Sequence, residues 1–344
     1  MDSDPVRVQV RDPLALLAVV PHLLGFHPDN SLVVVAISGP HGRIKVAFRY
    51  DLPDPPDSTA ATSIADHAAT VLHRNNLTTV IVIGYGTGTL VTPVADVIRA
   101  VLPREGVRLH DLLRVDQGRY WSYLCADPGC CPVGGTPVSG THPASVALTV
   151  AGLGALTNRA APAATIAPVD GPDAAAMTEA TDRVERDAVE TRVYSGPDAL
   201  RAVGVDLVRS AVITYRDGGT ITDHRQVARL AVALINIEVR DDTWARMLPE
   251  HRDAHMKLWA DLTRHAQPGY VAAPASLLAF TAWQGGDGAL ASLAIDRALA
   301  DDPDYSMAHL IRTALAEGLP PSAAVLPLTP DEVAASYQRQ RRGH

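Results

Sequence analysis

Aromatic side chains are scarce in this chain. Phenylalanine occurs three times and aromatics make up 5% of 344 residues, so core volume has to come mainly from Ala, Val and Leu. Basic charge is also short. Thirty Lys and Arg against 38 Asp and Glu give a formal net charge of −8, with a pI near 5.9. A general affinity for nucleic acid is excluded on that ground, because neutralising phosphates needs a basic surface. The basic cluster Arg339-Gln340-Arg341-Arg342 reads as a solvated terminus. Long apolar runs are missing too. The stretch Leu14 to Phe26 is too short and too interrupted to span a membrane, and Asp2 and Asp4 stand where a secretory leader would be basic. Three cysteines, an odd number, argue against a disulfide framework and for a reducing cytoplasm.

What is present is the composition of a soluble globular protein, 47% hydrophobic and 20% charged, and long enough for two domains. Its strongest local pattern is Asp12 to Ile37. Asp12 is placed to cap a helix that Pro13 opens, with Leu14, Leu17, Val20 and Leu24 at helical spacing. Pro21 should kink or end that helix near Val20, and Gly25 is its stop. Pro28, Asp29 and Asn30 are turn residues, and Leu32 to Ile37 is an unbroken β-branched run suited to a strand covered on both faces. Val6 to Val10 alternates like a short edge strand. Ile44 to Tyr50 should pair antiparallel with the first buried strand, with Ile44, Val46 and Phe48 on one face.

A helix is predicted over Thr59 to His73, then a second buried strand at Leu77 to Ile83 that runs into Gly84-Tyr85-Gly86-Thr87-Gly88. Thr92 and Pro93 should start the next helix, ending near Leu102. Leu109 to Val115 and Arg119 to Leu124 read as strands joined by an Asp116-Gln117-Gly118 turn. Thr141 to Leu156 closes the domain as a helix. The expectation is a three-layer α/β domain with a mixed sheet over 1–160, a Pro-rich linker at 161–172, an all-helical domain at 173–325 and a tail at 326–344. Its helices are expected at Asp173 to Tyr194, Asp198 to Tyr215, Asp223 to Ile237, Asp242 to His265, Ala275 to Trp283, Gly288 to Ala300 and Tyr305 to Glu317. Trp283, the Gly285-Gly286-Asp287 turn, Ala291, Ala294 and Ala298 resemble one tetratricopeptide-like hairpin.

Three segments carry a family resemblance. PHLLGFHPDNSLVVVAI with the later RYDLP, RYWSYLCADPGCCP at Arg119 to Pro132, and WQGGDGALASLAIDRALADDPDY at Trp283 to Tyr305 are similar to the signatures of the actinobacterial family called domain of unknown function 4192. The resemblance covers nearly the whole chain. It implies bacterial cytoplasmic proteins with no established activity, so it supplies no catalytic residue.

Candidate chemistry is confined to a few places. In open α/β sheets ligands sit beyond the carboxyl ends of strands, a rule that favours the loop Gly84 to Thr89 and points away from Gly25 to Asn30, which enters its strand. Gly84, Gly86, Thr87 and Gly88 could turn backbone N–H groups toward an anion, although neither a dinucleotide fingerprint nor a Walker loop is present. Arg119, with Tyr120 and Trp121, is a candidate ligand contact or stacking platform against a reading as core packing. Cys125, Cys130 and Cys131 are spaced C-x4-C-C. Metal, redox and plain structural thiols are all open readings, and zinc would need His142 or His110 as a fourth ligand. No cofactor is expected, with zinc the lesser alternative. His27, Asp29 and Ser31 have the residue types of a hydrolase triad on a turn too tight to align them. Arg240-Asp241-Asp242 reads as a helix start, and Glu250, His251 and His255 lack the metalloprotease order. The functional expectation is a binding or regulatory module making protein contacts through its helical domain, with a small-molecule ligand as a lesser partner. The alternative is an enzyme whose site lies at the carboxyl edge of the sheet.

Overall fold

The Asp12 carboxylate accepts the Ala15 N–H at 2.8 Å, and Pro13 opens helix α1, Pro13–Leu24. α1 does not end near Val20: it continues through Pro21 to Gly25, which closes it in the left-handed region at φ 78°. A proline here forfeits one intrahelical bond, and the buried Val19, Val20 and Leu24 hold the helix together across it. The computed structural model describes residues 10, 12–39, 42–138, 142–150, 160–325 and 328–342. The edge strand expected at Val6 to Val10 lies outside these except for Val10, as do Thr141 and residues 151–156 of the helix expected at Thr141 to Leu156.

The chain divides into two compact units, Met1–Ala161 and Pro162–His344. The first is built on a six-stranded sheet. β1 (Ser31–Ser38) lies between β2 (Arg43–Asp51) and β3 (Thr79–Tyr85), antiparallel to both. β4 (Arg108–Asp116) runs parallel to β3, followed by antiparallel β5 (Arg119–Ser122) and the two-residue β6 (Thr136–Pro137), in the order β2-β1-β3-β4-β5-β6. Leu32 to Ala36 are fully buried, as a strand covered on both faces requires. Helices α2 (Ser58–Arg74) and α3 (Gly88–Val101) pack on the face that carries Leu32, Val34, Val80, Val82 and Leu112. α1 and α4 (Pro143–Val150) cover the other face, where Val19, Ala144 and Leu148 meet Ile44.

Ile44 and Val46 do not share a face. A bulge opposite Ala36 and Ile37 inserts Lys45, so Ile44 pairs with Ile37 while Val46 pairs with Ala36. α3 also starts at Gly88 with Thr87 as its cap, five residues before the expected Pro93 and Thr92, which shortens the glycine loop to a turn.

Gly84 lets α3 sit close to the sheet. A Cβ added there would lie 2.2 Å from Val91 Cγ1 and 3.1 Å from Cγ2, and Val91 is fully buried. Gly84→Ala should lower the free energy of unfolding by about 1–3 kcal/mol through overpacking, and Val91→Ala in the same chain should recover part of it. Urea denaturation of the three proteins measures this; an unchanged midpoint for Gly84→Ala would contradict the close approach.

The second unit is helical. α5 (Ala160–Thr165) and the start of α6 (Gly171–Arg216) occupy much of the expected linker, and Gly196, at φ 82°, breaks α6 into two helices. α7 (His224–Ala233) ends four residues short of the expected Ile237, and α8 (Ile237–Ala245) begins five residues before the helix expected at Asp242, because the Asn236 side chain accepts the Glu238 N–H at 2.9 Å and starts a new helix. Arg240, Asp241 and Asp242 therefore lie inside α8. A 3-10 turn at Pro249–His251 precedes α9 (Arg252–His265).

α10 (Ala272–Gln284) is buried at every residue from Ala272 to Trp283, and its apolar surface all round makes it the centre of the unit. Its N-terminus is capped from a distance. The Asp301 carboxylate, at the end of α11 (Gly288–Asp301), accepts the N–H groups of Gly269, Val271 and Ala272 at 2.6, 2.9 and 3.0 Å. The fully buried Ala291, Ala294 and Ala298 bring α11 close to α10, and α12 (Ser306–Ala316) packs on both. The tail is not solvated throughout. α13 (Pro330–Arg342) lies on α8 through Tyr337 and Arg341, one turn apart on one helical face, and Arg341 is paired with Glu238.

Candidate functional site

Because β1 is antiparallel to β3, the start of β1 lies beside the end of β3, with Ser31 opposite Tyr85. The loop Gly25 to Asn30 therefore stands at the same rim as the glycine turn, contrary to the carboxyl-end rule applied to β1 alone. Asn30, at φ 42°, accepts the Leu52 N–H at its carbonyl, 3.0 Å away, while the Gly86 N–H donates to the Val115 carbonyl at 2.9 Å. A Cβ on Gly86 would come within 3.2 Å of Asn30 Oδ1, and its φ of 141° is one that side-chain-bearing residues avoid. The ends of β1, β3 and β4 are thus tied together around Gly86.

Ser31 is fully buried and its hydroxyl donates to the Asp29 carbonyl at 2.5 Å while accepting from Arg49 Nε at 2.7 Å. Arg49 also pairs with Asp51. Ser31 is therefore a buried link between the turn and β2 rather than a partner of the exposed His27.

Thr87 is the N-cap of α3 but makes no side-chain capping bond; its carbonyl accepts the Leu90 N–H at 3.1 Å, and the backbone N–H groups of Gly88 and Thr89 have no cap from it. Against this helix end lies Arg114. A Cβ on Gly88 would sit 2.4 Å from Arg114 Nη1, so glycine is what admits the guanidinium. The same guanidinium stacks on the Trp121 ring, 3.8 Å from its centroid. Trp121 is fixed in turn: its Nε1 donates to the Val133 carbonyl at 3.0 Å, and Gly135 packs against its ring. Tyr123, two residues on along the chain, bonds Thr92 of α3 through its hydroxyl at 2.8 Å. Among the described residues Arg114 has no carboxylate partner. It is a half-buried cation placed at the positive end of a helix dipole.

Arg119, the arginine singled out from sequence, is spent elsewhere. Its Nη1 donates to the carbonyls of Gly134 and Gly135 at 3.1 and 2.9 Å, closing the loop between β5 and β6. Arg114 is the residue missed, and a signal for it existed. The turn Asp116-Gln117-Gly118-Arg119, with Gln117 at φ 45° and Gly118 at φ 70°, fixes the register that sets Arg114 opposite Trp121.

The thiols form a second place. The Sγ atoms of Cys125, Cys130 and Cys131 all lie within 4.8 Å of one another. The Asp127 carbonyl accepts both the Cys130 and the Cys131 N–H, at 3.2 and 2.7 Å, and so turns the two side chains the same way. Cys125 N–H donates to Ser122 Oγ at 3.2 Å, which donates to Asp111 at 2.9 Å. Hydrogen bonds from the Cys131 thiol and the Asp127 N–H hold the Cys125 thiol below its ordinary pKa; the same bond, aided by desolvation, pushes Cys131 up to about 12. His142 is not brought to them: its Nδ1 accepts the Ala144 N–H at 3.1 Å, at the start of α4. His110 is exposed on β4 and is likewise outside the converging group.

These features define a mixed-sheet α/β unit with Arg114 at one rim of its sheet, followed in the chain by an all-helical unit. The chain belongs to the family described as Domain of unknown function (DUF4192), which matches residues 13–322. Comparisons with curated proteins and with solved structures give no match. No helix among the described residues is long and apolar enough to cross a membrane.

Proposed function

We propose that the α/β unit binds a small anionic ligand, of the phosphate class, at the N-terminus of α3, and that the protein works as a binding or regulatory module. The observation that carries this is Arg114. A cation with no carboxylate partner among the described residues, wedged against the positive end of a helix and held there by Trp121, concentrates positive potential that an anion relieves. Thr87, Gly88 and Thr89 supply the backbone N–H groups for that anion, while Gly86, whose own N–H is given to the Val115 carbonyl, lets the turn pass Asn30 at its border. The free thiols agree with a reducing, cytoplasmic setting.

Calorimetric titration with pyrophosphate tests the reading. Arg114→Gln should weaken binding by roughly tenfold or more, the worth of about 1.5–3 kcal/mol for a charge-assisted hydrogen bond. Arg104→Gln, past the far end of α3, should bind as the parent does. Equal affinity in the Arg114 and Arg104 variants would refute the site.

A second reading, contacts between the helical unit and a protein partner, rests on Val189, Val193 and Tyr194. They are 63%, 71% and 86% exposed on one stretch of α6 just before its break. The α10–α11 hairpin, read as tetratricopeptide-like, belongs to the same proposal.

A further inference from the structure

We propose that Cys125, Cys130 and Cys131 form an all-sulfur, three-coordinate site for one soft thiophilic metal ion, Cu(I). The site is independent of the anion-binding rim. Three features of the geometry lead there.

The first is spacing. Cys130 Sγ and Cys131 Sγ are 3.9 Å apart, and an ion at the centre of an equilateral triangle with that side lies about 2.3 Å from each corner, the length of a metal–thiolate bond. The third sulfur falls within 4.8 Å of both, so closing the triangle takes a shift of less than 1 Å at its longest edge.

The second is preorganisation. Both neighbouring cysteines hang from the one Asp127 carbonyl, and Asp127 Oδ1 accepts the Gly129 N–H at 2.9 Å, which fixes the turn between the outer cysteines. Cys125 is anchored through Ser122 to Asp111 on the sheet. The sulfurs meet because the backbone sets them there, not because a disulfide draws them together; all three are free.

The third is the donor set. Structural zinc takes four protein ligands in a tetrahedron, but among the described residues the converging group holds three sulfurs and neither an imidazole nor a carboxylate. Soft thiolates select Cu(I), which is content with three of them. Cys130 is exposed and the other two are half-buried, so an ion delivered from solution or from a carrier reaches the sulfurs without unfolding the loop. Binding displaces thiol protons to solvent and changes no oxidation state.

The full-length, reduced protein should be titrated anaerobically with Cu(I) against a chromogenic Cu(I) chelator, and the loaded form studied by X-ray absorption. The expected result is one equivalent bound, with three sulfur neighbours at about 2.3 Å. Cys125→Ser and Cys131→Ser should each weaken it by more than roughly 100-fold, beyond the 10–100-fold that an outer-shell partner costs. Unchanged thermal midpoints of the metal-free variants would show that the loss is not unfolding. A two-sulfur shell, equal binding by the serine variants, or tighter binding of Zn(II) with nitrogen or oxygen in its shell would each overturn the assignment.

Discussion

Asp241→Ala is expected to cost the helical unit about 3–5 kcal/mol, the penalty for removing one partner of a buried ion pair. Arg240 is 6% exposed. Its guanidinium donates to Asp241 Oδ1 from Nη2 and Nε at 2.5 and 2.8 Å and to the Tyr305 hydroxyl from Nη1 at 3.2 Å. Asp241 Oδ2 accepts in addition from Tyr337 of α13 at 2.5 Å. Taking the carboxylate away leaves the charge in place with one neutral oxygen for company and also frees α13 from α8. The double variant Arg240→Met with Asp241→Ala should be closer to the parent than Asp241→Ala is, since an apolar side chain of similar length needs no counter-ion. Urea denaturation reads all three, and a cost below about 1 kcal/mol for Asp241→Ala would show that Arg240 is not desolvated as described.

The second large effect is one of pH. His255 is 2% exposed, stacked on Trp259 with ring centroids 6.0 Å apart, and neither of its ring nitrogens has a hydrogen-bond partner among the described residues. Burial, helped by the charge of His251, pulls its pKa down to about 4 from an ordinary 6.5. Between those values the unfolded chain takes up the proton and the folded chain does not, so protonation favours unfolding. Stability owed to the neutral ring is complete above pH 6.5 and is lost as pH falls toward 4, by about 3 kcal/mol in all. His255→Leu removes the titration and two unpartnered buried nitrogens with it. The difference in unfolding free energy between parent and variant should therefore change by that amount over this interval, with the variant less sensitive. Parallel pH profiles would contradict it.

Much of this architecture was legible because single residues dictated it. Leu32 to Ile37 could only be a strand covered on both faces, and Asp12, Pro13 and Gly25 bound α1 as caps do. The direction of β1 was not legible. A buried apolar run carries no mark of whether its neighbour is parallel, and that direction alone moved Gly25 to Asn30 to the working rim. The early start of α3 was hidden for a related reason: Pro93 looks like a first-turn residue, yet the helix tolerates it farther in. Arg114 was legible in principle, since the Asp116-Gln117-Gly118 turn sets its register against Trp121, but its approach to Gly88 is a long-range contact. Convergence of the three thiols depends on two N–H groups sharing the Asp127 carbonyl, a backbone detail that spacing does not encode.

The most direct test of the anion-binding rim is backbone amide NMR of the full chain during pyrophosphate addition. The account predicts saturable shifts at Gly86, Thr87, Gly88 and Thr89, with Arg114 side-chain signals moving in step and the Arg114→Gln protein needing roughly tenfold or more pyrophosphate for the same shifts. Shifts that never saturate, or that fall on other surfaces while the α3 N-terminus stays still, would contradict it.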